Sequence, residues 1–166
     1  MSKRLLIAVD GSPAANAALL EAIEMARAGD SDLRLVHVID ETSVPWTDGG
    51  IERRARSLDA LAAAGDKVLA DGLAMIRAAG LGASCTRLRR DRIADTVSAL
   101  IASEAKSWGA DMIVIGTLGR GPIRRVLRGS VDAAVMRNCA VPVLPVKPRV
   151  PRSGQLAANR RPLEMA

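Results

Sequence analysis

The run MIVIGTLGRGPIRRVLRGS, Met112 to Ser130, decides how the rest of the chain is read. Its opening residues, Met112 to Ile115, are uninterruptedly apolar and too few for a helix, as in a strand buried on both faces. That strand empties into Gly116-Thr117-Leu118-Gly119, and after nine intervening residues Gly129-Ser130 opens a helical stretch reaching about Asn138. A buried strand followed by glycines and a serine-led helix leaves backbone N–H groups free to converge on an anion, with the positive end of the helix behind them. The spacing is not the Walker pattern, because no Gly-Lys-Ser/Thr follows where that pattern needs it. Gly119-Arg120-Gly121 also lacks the third glycine of a dinucleotide fingerprint. Taken alone, the glycines could equally form an ordinary loop after a strand.

The neighbouring segments repeat the same alternation. Leu5 to Val9 is a second continuous apolar run; it ends in Asp10-Gly11-Ser12-Pro13, a turn in which Ser12 is the helix cap and Pro13 the first helical residue. An Ala-rich helix then runs to about Ala28 and stops at Gly29-Asp30. Leu33 to Ile39 reads as a strand, followed by a polar loop to Gly50. From about Ile51 to Ala79, Leu58, Leu61, Val68, Leu69, Leu73 and Ile76 recur at three- and four-residue steps, the pattern of an amphipathic helix that Gly80-Leu81-Gly82 ends. Ala83 to Arg90 is a strand whose Arg87, Arg89 and Arg90 suit an exposed edge. Ile93, Val97, Leu100, Ile101 and Trp108 mark a further helix, and Val141 to Val146 a last strand. Strand and helix thus alternate five times, which predicts one α/β domain with a parallel sheet covered on both faces. Such sheets bind ligands outside the carboxyl ends of their strands, where the strand order reverses.

Composition narrows the functional classes. A chain of 166 residues can bury a full core without staples. That core is aliphatic, since the chain has no Phe or Tyr and only Trp46 and Trp108. The net charge of +6 is concentrated at and beyond Lys147, where five basic residues face the single acid Glu164. Without interleaved aromatics the sequence does not favour nucleic acid as a partner, despite its basic balance. Cys85 and Cys139 match no metal-ligand spacing and read as reduced, buried side chains. The apolar run after Lys3-Arg4 is too short for a signal-peptide core or a membrane span, so a cytoplasmic protein is expected. Pro148, Pro151, Gly154 and Pro162 punctuate the end of the chain, which divides it into a domain over 1–147 and a basic, disordered tail over 148–166.

The G-x2-G-x9-G-[ST] arrangement from Gly116 to Ser130 resembles the signature of the ATP-binding branch of the universal stress proteins, the UspA-like family. Val9-Asp10-Gly11-Ser12, Leu35-Val36-His37-Val38 and Val141-Pro142-Val143-Leu144 match the family in the same order. The resemblance implies a single-domain, Rossmann-like adenine nucleotide-binding fold: an open five-stranded parallel sheet of order 3-2-1-4-5 with helices on both faces. It further implies ATP and Mg²⁺ as ligands. Asp10 would lie beside ribose or phosphate and reach the metal, and the Val38 backbone would pair with the adenine edge. Gly116 and Gly119 would admit the nucleotide to their backbone, and Gly129 and Ser130 would hold phosphate. The physics agrees for the glycines, since a Cβ would block close approach. Asp10 has a second reading, as a carboxylate that only caps the next helix.

Arg120, Arg124, Arg125 and Arg128 could neutralise a triphosphate or form a solvated basic loop. His37, the only histidine, reads as a hydrogen-bonded core residue rather than a catalyst. No Ser, His and acid set suggests nucleophilic catalysis. Two positions depart from the family: Leu118 stands where relatives often carry a polar residue, and Pro145 where they carry Val or Leu. The resemblance implies a homodimer along the last strand, which Pro142 and Pro145 weaken by removing donors on opposite sides. The leading function is an ATP-dependent stress regulator or sensor acting on an unidentified protein partner, with no membrane association. The alternatives are a slow ATPase or self-phosphorylating enzyme of the same fold, and a nucleotide-free interaction module. ATP pyrophosphatases need a Ser-Gly-Gly-x-Asp-Ser loop that the chain lacks, and nucleic-acid binding through the tail would show as salt-dependent affinity.

Overall fold

The computed structural model describes residues 2–46, 50–116 and 140–148. In chain order these form β1 (Lys3–Ala8), α1 (Pro13–Ala28), β2 (Ser31–Asp40), α2 (Gly50–Ala78), β3 (Ala83–Arg90), α3 (Val97–Trp108), β4 (Met112–Gly116) and β5 (Val143–Val146). A single 3₁₀ turn, Glu41–Ser43, follows β2. The strands lie in one sheet of order β3-β2-β1-β4-β5, and all four pairings are parallel. The sequence patterns predict the strands, and the family resemblance predicts their order.

Period two decides which face each residue covers. Leu5, Ile7 and Val9 of the β1 segment, with Leu33 and Leu35 of β2, lie under α1 and α2; Leu6 and Ala8, with Val36 and Val38, lie under α3. Both faces of β1 are therefore dry, which is why its sequence is continuously apolar rather than alternating. α2 reaches the sheet through two glycines. A Cβ on Gly65 would stand 2.8 Å from His37 Cδ2, and one on Gly72 would stand 2.7 Å from Leu35 Cδ1. Spaced two turns apart, these residues form a smooth stripe that lets the helix backbone settle on β2. A search for apolar periodicity overlooks them.

Three expectations need correction. Ile93 is not part of α3: it is 86% exposed and precedes the helix, which starts where Thr96 Oγ1 accepts from Ala99 N at 3.1 Å. The side-chain cap sets the start of that helix, against the apolar spacing. Cys85 is exposed, not buried, because it sits on edge strand β3 on the same face as the exposed Arg87 and Arg89. The last strand begins at Val143 rather than Val141; Pro142 precedes it and its carbonyl accepts from Ile113 N at 2.8 Å. Cys139, the helix expected over Ser130 to Asn138 and the tail beyond Pro148 lie outside the described residues. Among the described residues no helix is long and apolar enough to cross a membrane.

Candidate functional site

β1 lies between β2 and β4, and the chain leaves it toward β2. The gap between β1 and β4 is thus the point where strand order reverses, and their carboxyl ends open a crevice. Ala8 pairs with Ile115, so Asp10 and Gly116 emerge side by side.

Local chemistry fixes the β1 end. Gly11 takes a left-handed φ of 76°, which an L side chain rarely adopts. The resulting turn brings Asp10 Oδ1 to the Ser12 N–H at 2.9 Å, while Ser12 Oγ accepts from Ala15 N at 3.1 Å and caps α1. Asp10 therefore shapes the turn while Ser12 does the capping, so the reading of the aspartate as the cap of α1 is not borne out. Its second oxygen, Oδ2, is buried and has no hydrogen-bond partner among the described residues. A buried carboxylate oxygen without a partner is costly unless something else answers it.

Gly116 serves the fold as well as the crevice. A Cβ there would lie 2.3 Å from both the carbonyl carbon and the oxygen of Ala14 and 2.6 Å from Ala15 N. The first turn of α1 rests directly on the end of β4, and only glycine allows that approach. The packing accounts for this glycine without a ligand.

Val38 contributes its backbone. Val9 N donates to Val36 O at 2.9 Å and the ladder from β1 ends at Ala8 with Val36. Val38, two residues on, turns its N–H and C=O to the same side as Val36, past the end of β1. Its side chain is 7% exposed in the core under α3. Gly119, Gly129 and Ser130 lie outside the described residues, as do Leu118, Arg120, Arg124, Arg125 and Arg128. The structure thus brings Asp10, Val38 and Gly116 to one end of the sheet.

The outer wall of this end is ionic. Arg90 reaches Asp40 Oδ2 and Thr42 Oγ1 at 2.9 Å and the carbonyls of Asp95 at 2.6 Å and Ile93 at 3.3 Å, tying the end of β2 to the loop after β3. Beside it, Arg89 holds Glu41 through two hydrogen bonds of 2.6 and 3.0 Å. The hydrogen bond from Arg89, reinforced by its charge, lowers the pKa of Glu41 below the ordinary carboxylate value. The sequence pattern marks these arginines as edge residues but does not reveal their partners. An edge arginine at every second position opposite acids at the end of β2 is the available signal. His37 was expected as a hydrogen-bonded core residue, and it is half-buried with Nδ1 2.8 Å from Val9 O.

The donor set bears on a metal. Among the described residues no cluster of three or more His, Cys, Asp or Glu could hold an ion. A lone buried carboxylate oxygen fits instead a Mg²⁺ that arrives already shared with phosphate and water, the usual habit of that ion. A groove of about 550 Å³ runs along the outer face of α1 past Asn16, Leu20 and Glu24 to Lys147, and includes none of Asp10, Val38 or Gly116.

Comparison with known proteins gives a consistent result. The sequence profile of the Universal stress protein family matches residues 1–147. A Staphylococcus haemolyticus protein assigned to the universal stress proteins is 31% identical over 148 residues, 87% of this chain and 84% of its own. A crystal structure from the same family from Burkholderia pseudomallei superposes with a TM-score of 0.68 at 27% identity, covering 89% of this chain and 96% of that one. An Arabidopsis thaliana family protein with AMP bound superposes with a TM-score of 0.63 at 19% identity, covering 89% and 93%.

Proposed function

The chain belongs to the universal stress protein family, and on that premise we propose that it is a regulator that binds ATP with Mg²⁺ at the carboxyl ends of β1, β2 and β4. The observation that carries this reading is Asp10 Oδ2, buried and without a partner among the described residues beside the amino end of α1. The Val38 backbone, facing the same opening, supports an adenine edge there. AMP in the Arabidopsis family structure agrees in ligand class.

In this reading Gly119, Gly129 and Ser130 hold the phosphates through backbone N–H groups and the serine hydroxyl. Gly116 seats α1 so that its amino end adds positive potential. Mg²⁺ would be held by Asp10 and the phosphates and would offset their mutual repulsion. A side chain at Gly119 blocks phosphate approach, so Gly119→Val weakens ATP binding about tenfold or more, about 1.4 kcal/mol. Unchanged affinity by calorimetry in a folded variant would refute the assignment.

The site binds ATP better than it turns it over. A cradle of backbone N–H groups holds ground state and transition state about equally, and uniform binding does not raise turnover. In this reading Asp10 is committed to Ser12 through one oxygen and to the metal through the other, and His37 to Val9, which leaves neither to orient an attacking water. Steady-state phosphate release stays well below about 1 per second.

The chain acts as a cytoplasmic homodimer formed through β5, its nucleotide state read by a protein partner. Ile113 donates to Pro142 O, so Pro142, Leu144 and Val146 turn their backbone toward β4 while Val143 and Pro145 turn theirs outward. Pro145 therefore takes its missing donor from the outer edge, and the dimer rests on apolar side chains such as Val143 and Val146 more than on a ladder. A monomer by light scattering at micromolar concentration would contradict this.

A further inference from the structure

In a parallel pair the N–H after each bridge finds the next carbonyl of its neighbour. Once Val9 N has donated to Val36 O, the partner in line for the Val38 N–H is Val9 O. That bond is not formed: the pairing of β1 with β2 stops at Ala8 and Val36. The Val9 carbonyl instead faces His37 Nδ1 at 2.8 Å. A carbonyl only accepts, so Nδ1 carries the proton. The ring is held in that position from the α2 side, where Gly65 leaves room that a Cβ, 2.8 Å from Cδ2 and 3.1 Å from Nε2, would occupy.

We propose that His37 is a positioning residue: by occupying the Val9 carbonyl it ends the β1–β2 ladder one bond early and keeps the Val38 N–H available to a ligand in the crevice. This rests on the reading of Val38 as the adenine-facing residue, and it adds base selectivity to that reading. A free N–H donor at Val38 complements the unprotonated N1 of adenine and opposes the N1–H of guanine. Sites that select by one hydrogen bond discriminate strongly because the wrong base leaves a buried group unpaired. The histidine itself need not touch the base.

Amide hydrogen exchange in the nucleotide-free protein tests the positioning directly. The Val38 amide should exchange at least about tenfold faster than that of Val36, whose N–H is inside the ladder. In His37→Leu the Val9 carbonyl is released and the Val38 amide should become protected. His37→Asn, whose Nδ2 can take the place of Nδ1, should keep it exposed. Gly65→Ala, which displaces the ring while retaining the histidine, should behave as His37→Leu does. A Val38 amide already protected in the wild type, or one unchanged in folded His37→Leu and Gly65→Ala, would overturn the proposal. The binding arm compares ATP with GTP: their affinity ratio should fall about tenfold in His37→Leu and recover in His37→Asn. A ratio that does not move while Val38 becomes protected would overturn the role in selectivity. Wild-type protein that binds neither nucleotide, with the exchange pattern as expected, would overturn the adenine reading and leave the effect of His37 on the ladder standing.

Discussion

Asp10 and Asp40 end adjacent parallel strands on the same side of one sheet, yet among the described residues only one of them has both oxygens satisfied. Asp40 Oδ2 meets Arg90 at 2.9 Å and Oδ1 accepts from Thr42 Oγ1, so both oxygens are answered and the group ties β2 to the loop after β3. Asp10 gives one oxygen to the Ser12 N–H and keeps the other buried and unpartnered among the described residues. The sequence surroundings explain the difference. Asp40 stands opposite Arg90 across the β2–β3 register, whereas Asp10 is followed by Gly11 and flanked by Gly116, which bring backbone but no cation. A carboxylate whose charge is balanced by its own chain maintains structure, and one whose second oxygen is left over is suited to a ligand.

Substitution separates the two carboxylates, and the largest effect falls on the backbone that frames Asp10. Gly116→Ala forces a Cβ against the Ala14 carbonyl at 2.3 Å and must displace the start of α1. A loss of about 3 kcal/mol by urea denaturation is expected, at the upper end of overpacking costs. Next is Asp40→Ala, which leaves the Arg90 guanidinium, 18% exposed, without its carboxylate. Removing one partner of a buried pair costs about 3–5 kcal/mol; with part of Arg90 in water and its carbonyl contacts kept, about 2 kcal/mol is expected here. Asp10→Asn should have the opposite profile. It removes the charge of a carboxylate whose Oδ2 is buried and unpartnered among the described residues, so thermal stability changes little, while affinity for ATP in Mg²⁺ falls about tenfold. Equal destabilisation by the Asp10 and Asp40 variants would erase the distinction between them.

The smallest effect is a control on the rim. Glu41 has a depressed pKa because Arg89 donates to it, so its contribution to stability is present above the unfolded value of about 4.3 and is lost as pH falls through the folded value. Arg89 is 63% exposed, so the contribution is small and screened by salt. Glu41→Gln should remove this acid dependence without altering ATP affinity, which pH-dependent unfolding and calorimetry would check.

The sequence made the ends of the strands legible where residue types are local signals. Ser12 and Pro13 start α1, Gly80 closes α2, and the arginines of β3 mark an edge, each by chemistry confined to a few residues. The order of the strands came through the family resemblance, since alternation alone permits several. What was illegible depends on contacts distant in sequence. Gly65 and Gly72 act only because β2 lies beneath them. The bond from His37 to Val9 joins residues 28 apart in sequence. The difference between Asp10 and Asp40 exists only once Arg90 is placed. Ile93 lies outside α3 although its spacing predicts it inside, because an apolar residue at helical spacing looks the same on either side of a cap.

Calorimetric titration of ATP into nucleotide-free protein decides whether Asp10 Oδ2, unpartnered among the described residues, belongs to a site for ATP with Mg²⁺. With Mg²⁺ present a saturable binding isotherm is predicted, weakened by EDTA in the wild type and insensitive to EDTA in Asp10→Asn. No binding under either condition, or an affinity that neither EDTA nor the substitution changes, would contradict the account.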